Sequence, residues 1–152
     1  MKRFCGSLAI LAAVCVLVPA AAAAGPAVAN GGGHGTDGTR PFSQFGFDVT
    51  RSTDGSVQGH FNCLMAGETR FPGFTLMAVR GQVTSGTIGS SSASFDGAGM
   101  LQTGNQGKFP ATFHVDVTAG GPGVGTLHLT LLTPFFFDLP IEQVMDGQIS
   151  IH

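Results

Sequence analysis

The side chains in this sequence that are best suited to catalysis or metal binding are Cys63 and several histidines. The segment GHFNC at 59–63 places Cys63 three residues after His60. A thiol becomes a nucleophile or a metal ligand when a base, a positive charge or a metal ion lies within reach. This spacing therefore raises three alternatives: a reactive thiol with its base, half of a metal site, or an ordinary strand.

The alternation of apolar residues around Cys63 favours the strand. Successive side chains of a β-strand point to opposite faces of the sheet, and Cys63 shares its parity with Phe61 and Val57. We therefore expect Cys63 to be buried and His60 to be exposed, so that the two cannot meet within their strand. A buried cysteine behaves as a small apolar residue. An exposed thiol for intermolecular pairing and a catalytic thiol stay as alternatives.

Three histidines fall at outward positions of predicted strands: His60, His114 and His128. Asp116 follows His114 by two residues and shares its face. The glycine-rich turn at 119–123 makes the strands of His114 and His128 neighbours. Imidazole and carboxylate groups bind zinc and copper. One alternative is therefore a zinc or copper site built from these four residues, and the other is a set of polar residues on a solvated sheet face.

No other catalytic or cofactor-binding signature is present. The sequence has no GxSxG, HExxH, P-loop or dinucleotide motif. Its two glutamates, Glu68 and Glu142, fall in predicted loops and form no evident carboxylate pair. The absence of Trp and Tyr disfavours an aromatic platform for sugars. We therefore predict a protein that is not an enzyme and needs no cofactor, with zinc or copper as the metal alternative.

The N-terminal residues have the layout of an export signal. Lys2 and Arg3 precede an apolar run at 8–18 and an alanine-rich stretch, which predicts a signal peptide at 1–24 that is cleaved. The apolar run is shorter than the roughly 20 residues that span a bilayer. Cleavage removes Cys5 and Cys15, so no internal disulfide is expected. We predict a secreted or cell-envelope protein with no membrane span after cleavage.

The charge of the cleaved chain limits its partners. Five basic and nine acidic side chains remain, for a net charge of −4. Neither a nucleic-acid backbone nor an acidic membrane surface is a favourable partner without a basic cluster. The expected partner is therefore an unidentified molecule outside the cell or in the cell envelope.

The rest of the chain indicates one all-β domain. Glycine at nearly every second position predicts a flexible spacer at 25–41. From 42 to 152, period-two segments alternate with glycine turns such as Asp54–Gly55. The predicted strands are 42–51, 56–64, 74–83, 93–103, 108–118, 124–133 and 145–152. Seven to eight such strands predict a single antiparallel β-sandwich or small barrel.

Glycines within these strands require their own explanation, because glycine weakens a strand. They are Gly59, Gly81, Gly97 and Gly99. We expect them to mark bulges or places where a large ring needs room.

The run FGFDV…DGSVQGHFNC…ASFDGAGMLQTGNQGKFPATFHVDVTAGGPGVGTLHLTL…DGQISIH resembles secreted bacterial β domains of the post-COAP type over about residues 42–152. The segments HFNC and LMAGETRFPGF depart from that pattern. The resemblance implies a bacterial exported domain, and it brings no catalytic residues or mechanism.

These observations favour an exported, non-catalytic β module that binds or displays a partner at the cell exterior. A metal-binding protein or metal-dependent enzyme using the outward histidines is the second alternative. The apolar segment LTPFFFDLP at 132–140 supports a third, a self-associating structural surface protein.

Overall fold

The computed structural model describes residues 25–38, 41–66, 76–104 and 106–152. The predicted signal peptide at 1–24 and Glu68 lie outside these ranges. The described residues form nine strands and no helix, and therefore no helix that could cross a membrane. The strands are β1 (Ala27–Thr36), β2 (Pro41–Arg51), β3 (Val57–Ala66), β4 (Leu76–Ile88), β5 (Ser92–Thr103), β6 (Gly107–Thr118), β7 (Thr126–Thr133), β8 (Phe137–Asp138) and β9 (Glu142–Ile151).

The nine strands form one antiparallel sheet that closes into a ring. Strands β1 to β7 each pair with their neighbours in sequence, and β9 pairs with both β1 and β7. The short strand β8 pairs with β7. The prediction of an all-β antiparallel domain is confirmed. The β2–β3, β4–β5 and β6–β7 turns contain glycine as expected, and Gly55 in the β2–β3 turn has a φ of 85°, a conformation that glycine adopts at little cost.

The ring closes through a short contact. β9 pairs with β1 along most of its length, but it meets β7 at only two residue pairs, Thr126 with Gln143 and Leu127 with Glu142. The turn after β6 continues the contact, since the Gly120 N–H donates to the Ile149 carbonyl at 2.9 Å. β9 therefore pairs with β1 along one edge, and with β7 and the turn after β6 along the other.

The inner face of the ring is packed with apolar side chains. Buried residues alternate with exposed or half-buried ones along β5, β6 and β7, as the period-two pattern predicts. Phe61, Phe95 and Phe113 are fully buried, and the ring centroid of Phe61 lies 5.2 Å from that of Phe113 and 6.0 Å from that of Phe95. Each buried phenylalanine contributes about 1.5–3 kcal/mol to stability.

The strand glycines fit against this core. A Cβ at Gly81 or Gly97 would overlap the ring of Phe113, so these two glycines make the room that the sequence predicts for a large ring. A Cβ at any of the four, Gly59 and Gly99 included, would also overlap the backbone of a neighbouring strand. At these four positions glycine allows a close approach that a side chain would prevent.

The predicted spacer is wrong where the structure describes β1. Ala27–Thr36 lies in the ring and pairs with β2 and β9, so the sheet begins well before residue 42. A Cβ at Gly31 would press on the side chain of Phe47, and one at Gly35 would overlap Glu142. The glycines are therefore packing residues, but without side chains they show no alternation. β4 also extends to Ile88, beyond its predicted end at residue 83.

Candidate functional site

The structure places His114 between two carboxylates on the outer face. Its Nδ1 lies 2.7 Å from Oδ1 of Asp96 on β5, and its Nε2 lies 3.3 Å from Oδ2 of Asp116 on β6. Partial burial by itself lowers the pKa of His114, but the hydrogen bonds and charges of the two aspartates outweigh it and raise that pKa. The predicted grouping of His114 with Asp116 is therefore present, with Asp96 as an additional partner.

The other two predicted ligands are placed differently. His128 lies opposite Asp116 in the β6–β7 ladder, but its Nε2 lies 2.8 Å from Oδ1 of Asp138 on β8. His60 is exposed on β3, which β4 and β5 separate from β6. The structure thus brings His114 and Asp116 together, sets His128 on the neighbouring strand, and leaves His60 apart.

A wider pattern links the outward histidines. Each of four histidines lies opposite an aspartate in a strand ladder: His34 with Asp146, His60 with Asp48, His114 with Asp96, and His128 with Asp116. In two of these pairs, His34 with Asp146 and His114 with Asp96, a ring nitrogen lies 2.9 and 2.7 Å from a carboxylate oxygen. Among the described residues, no group of three or more His, Cys, Asp or Glu side chains is arranged to hold a metal ion. The zinc or copper site stays a prediction.

Ser94 gives this region a superficial likeness to a nucleophilic site. Its Oγ lies 3.3 Å from Nε2 of His114, whose other nitrogen contacts Asp96. However, Asp116 competes for the same Nε2. Ser94 also lies in a strand that is paired on both sides, so its surrounding backbone N–H groups are engaged in the ladders and are poorly placed to stabilise an oxyanion. We therefore assign Ser94 no catalytic role.

Cys63 is a core residue. Its exposed fraction is 1%, and the exposed His60 lies on the other face of β3, so the parity prediction is confirmed. Burial, together with the nearby charge of Glu142, raises the pKa of the thiol. The sulfur is therefore both inaccessible and protonated.

Glu142 is the residue whose placement the sequence misses. It belongs to β9 and is 1% exposed, so the prediction of a loop position is wrong. The Ser43 hydroxyl donates a hydrogen bond to Oε2, while Oε1 has no hydrogen-bond partner. Burial raises the pKa of Glu142 to about 7, although the bond from Ser43 opposes that shift. The sequence did offer one signal: Glu142 has the same parity as the apolar Val144, which indicates that both face the core. The predicted strand began at residue 145 and therefore included neither residue.

A shallow depression of about 570 Å³ lies on the outer face of β3 and β4. It is lined by His60, Asn62, Arg80 and Gln82, with Phe61 and Gly81 as its floor. Within the described ranges, these four polar side chains form no hydrogen bond or ion pair with the rest of the protein. On the β2 side, Gly46 pairs with Asn62 and adds no side chain. We call this surface the Arg80 depression, and its polar side chains have no hydrogen-bond partner in the described part of the chain.

No protein-family model, curated protein or solved structure matches this chain. The resemblance to post-COAP-type domains stays a prediction.

Proposed function

We propose that this protein is an exported, non-catalytic β module that binds a ligand at the cell exterior through the Arg80 depression. The observation that carries the proposal is a concave outer surface with four polar side chains that have no partner in the described part of the chain. Concave sites with a few convergent polar groups are where small ligands bind. Polar groups that the fold leaves unpaired are available to such a ligand.

The finer architecture belongs to the same proposal. Pairing that continues around the ring, together with a single apolar core, supports a small barrel over a two-sheet sandwich. In a packed barrel, binding takes place on the outer wall or at the rim. The outer wall of β3 and β4 is where the Arg80 depression lies.

Two features support export and the absence of catalysis. The signal-like layout of residues 1–24 supports the export part of the proposal. The one cysteine that remains after cleavage is buried, and the Ser94–His114–Asp96 arrangement lacks free backbone donors. Neither group is poised for covalent chemistry.

The proposal is tested by sedimenting the purified mature protein with washed cells of the producing species. We expect the wild-type protein to be retained and the double variant Asn62→Ala/Gln82→Ala to be released. The matched control is Ser92→Ala/Thr118→Ala, which removes two exposed polar groups from another part of the outer face. Equal retention of all three proteins, or no retention of the wild type, would contradict the proposal.

A metal-binding function is the second candidate, and the contact between His114 and Asp116, with His128 opposite, favours it. Zinc or copper is added to the protein, excess metal is dialysed away, and the metal retained per chain is counted. Stoichiometric metal that is lost in His114→Ala and His128→Ala would support this candidate. A protein that returns metal-free with unchanged melting would contradict it.

Self-association is the third candidate, and exposed phenylalanines favour it. Phe135 is 42% and Phe136 69% exposed, and the Phe135 ring lies 6.0 Å from that of Phe109. Large exposed apolar groups mark interaction surfaces when they adjoin each other. Sedimentation across concentrations measures this directly: a rising mass that Phe136→Ser abolishes would support it, and a constant monomer mass would exclude it.

A further inference from the structure

We propose that the Arg80 depression binds a carboxylate-bearing polar ligand of the acidic-sugar class, with the Arg80 guanidinium as its anchor. This inference rests on the proposed function and names the ligand class of the same site.

Arg80 is available for such a ligand. A guanidinium presents five N–H donors in a plane that matches the two oxygens of a carboxylate. Arg80 is exposed and forms no hydrogen bond or ion pair within the described ranges. Arg51 provides the contrast, since it donates to the carbonyls of Ile88 and Gly25 at 3.1 Å each and so serves the fold.

The neighbours of Arg80 supply the rest of a polar site. Asn62 lies directly opposite Arg80 in the β3–β4 ladder, and His60 lies opposite Gln82 two residues away on the same face. Side chains paired in this way have Cβ atoms about 4.5–5.5 Å apart. The two amides offer both donors and acceptors, which suits the hydroxyl groups of a ligand whose carboxylate contacts Arg80.

The charge of the depression favours a monoanion. Arg80 is the one permanently cationic side chain among its lining residues, so the second negative charge of a phosphate or sulfate would have no cation in the depression to balance it. The nearest carboxylate by register is Asp48, which pairs with His60 across the β2–β3 ladder. His60 in turn pairs with Gln82, so Asp48 is aligned with Gln82 and not with Arg80. The anionic group of the ligand is therefore expected over Arg80 and Asn62.

The floor of the depression points to hydrogen bonding over stacking. Phe61 is 1% exposed and turns its ring into the core, and Gly81 has no side chain. Neutral sugars that rely on an aromatic face would find none here. Recognition then depends on the charge of the ligand and on its hydroxyl groups.

The test is a titration of the isotope-labelled mature protein, followed through its backbone amide resonances. The probe is glucuronate, and the comparison probes are glucose and inorganic sulfate. We expect glucuronate alone to shift the amides of residues 60–62 and 80–82. Arg80→Gln should weaken glucuronate binding at least about tenfold, since hydrogen bonds to charged groups are the stronger ones. Lys108→Gln removes one exposed cation outside the depression and should leave binding unchanged.

Four results would overturn this inference: no amide shifts with glucuronate, equal shifts with glucose, equal shifts with sulfate, or equal weakening by Arg80→Gln and Lys108→Gln. If the wild-type protein still sediments with cells through Asn62 and Gln82, the ligand class is wrong and the proposed function stands. If the wild-type protein is not retained by the cells either, both the ligand class and the proposed function are wrong.

Discussion

One buried corner of the ring brings together three side chains from different strands: Ser43, Cys63 and Glu142. The negative charge of Glu142 disfavours a thiolate at Cys63, and burial disfavours the charged form of both groups. Asp37 adds a further negative charge that acts on Glu142. All three effects favour neutral groups in this corner, so proton uptake by Glu142 stabilises the fold.

The stability of the protein should therefore fall as pH rises from about 4.5 to about 7. The pKa of Glu142 is raised from 4.5 to about 7 in the folded state, so between these values the folded chain binds a proton that the unfolded chain has lost. The contribution of Glu142 to the free energy of unfolding is largest below about pH 4.5, declines through about pH 7 and then levels, with a loss of about 3 kcal/mol. Urea denaturation across this range measures the slope, and Glu142→Gln should remove most of it.

Two comparisons identify the source of that slope. Asp54→Asn should leave it intact, because the hydrogen bonds from Ser56 lower the pKa of Asp54 and place its titration below this range. His114 has a raised pKa, so its contribution is present below pH 6.5 and is lost as pH rises through the folded-state pKa. In Glu142→Gln, a smaller decline of the free energy of unfolding with pH should therefore persist, because His114 is still present. A slope in that variant as steep as in the wild type would exclude Glu142 as its cause.

Cys63 should react slowly with a thiol reagent in the native protein and quickly in denaturant. Burial excludes the reagent, and the raised pKa keeps the thiolate population small. The release of the chromophore from a disulfide reagent measures both rates. Ser90→Cys in a Cys63→Ala background provides an exposed thiol for comparison, since Ser90 is exposed. Native labelling of Cys63 at the rate of that control would contradict its burial.

Among the strands, β4, β5 and β6 meet around one aromatic ring. Gly97→Ala should destabilise the protein by about 1–3 kcal/mol, because a Cβ at Gly97 would overlap the Phe113 ring and the Gln82 carbonyl oxygen and force both to shift. In a Phe113→Leu background, where the ring is already absent, Gly97→Ala should cost less stability than it does in the wild-type protein. The midpoints of chemical denaturation give these differences.

Gly32→Ala is the matched control for this substitution. Its Cβ would have the Phe45 carbonyl oxygen at 3.6 Å as its nearest neighbour, which is an ordinary contact. We expect a change within about 0.5 kcal/mol. If Gly97→Ala proves as mild as Gly32→Ala, the packing role of Gly97 is wrong.

The alternation of apolar and polar residues was enough to predict most strands, because an apolar residue at every second position shows which face of the strand is buried. It predicted the burial of Cys63 and the exposure of His60 correctly. It failed at β1, where glycines replace the side chains that would show the pattern. It also missed the contact of His114 with Asp96, since partners on adjacent strands depend on register, and register depends on how the whole ring packs.

At the scale of the whole molecule, β1 decides whether the ring closes. A protein starting at residue 37 lacks the strand that pairs with β2 and β9 and leaves both with an unpaired edge. We expect it to aggregate or to lose cooperative thermal unfolding, because exposed edges pair with other chains. A protein starting at Ala27, which keeps β1, should melt as a protein starting at residue 25 does. Cooperative melting of the shorter protein at an unchanged temperature would restore the spacer interpretation of this segment.

The pairing of β1 with β9 also brings Val28 next to His152, and their backbones exchange two hydrogen bonds, at 2.6 and 2.9 Å. A short peptide linker would therefore join residue 152 to residue 25 without crossing the molecule, and new ends could be opened at the Asp54–Gly55 turn. Such a circular permutant keeps every strand ladder, and the same geometry would let the domain be grafted into a surface loop of a host protein.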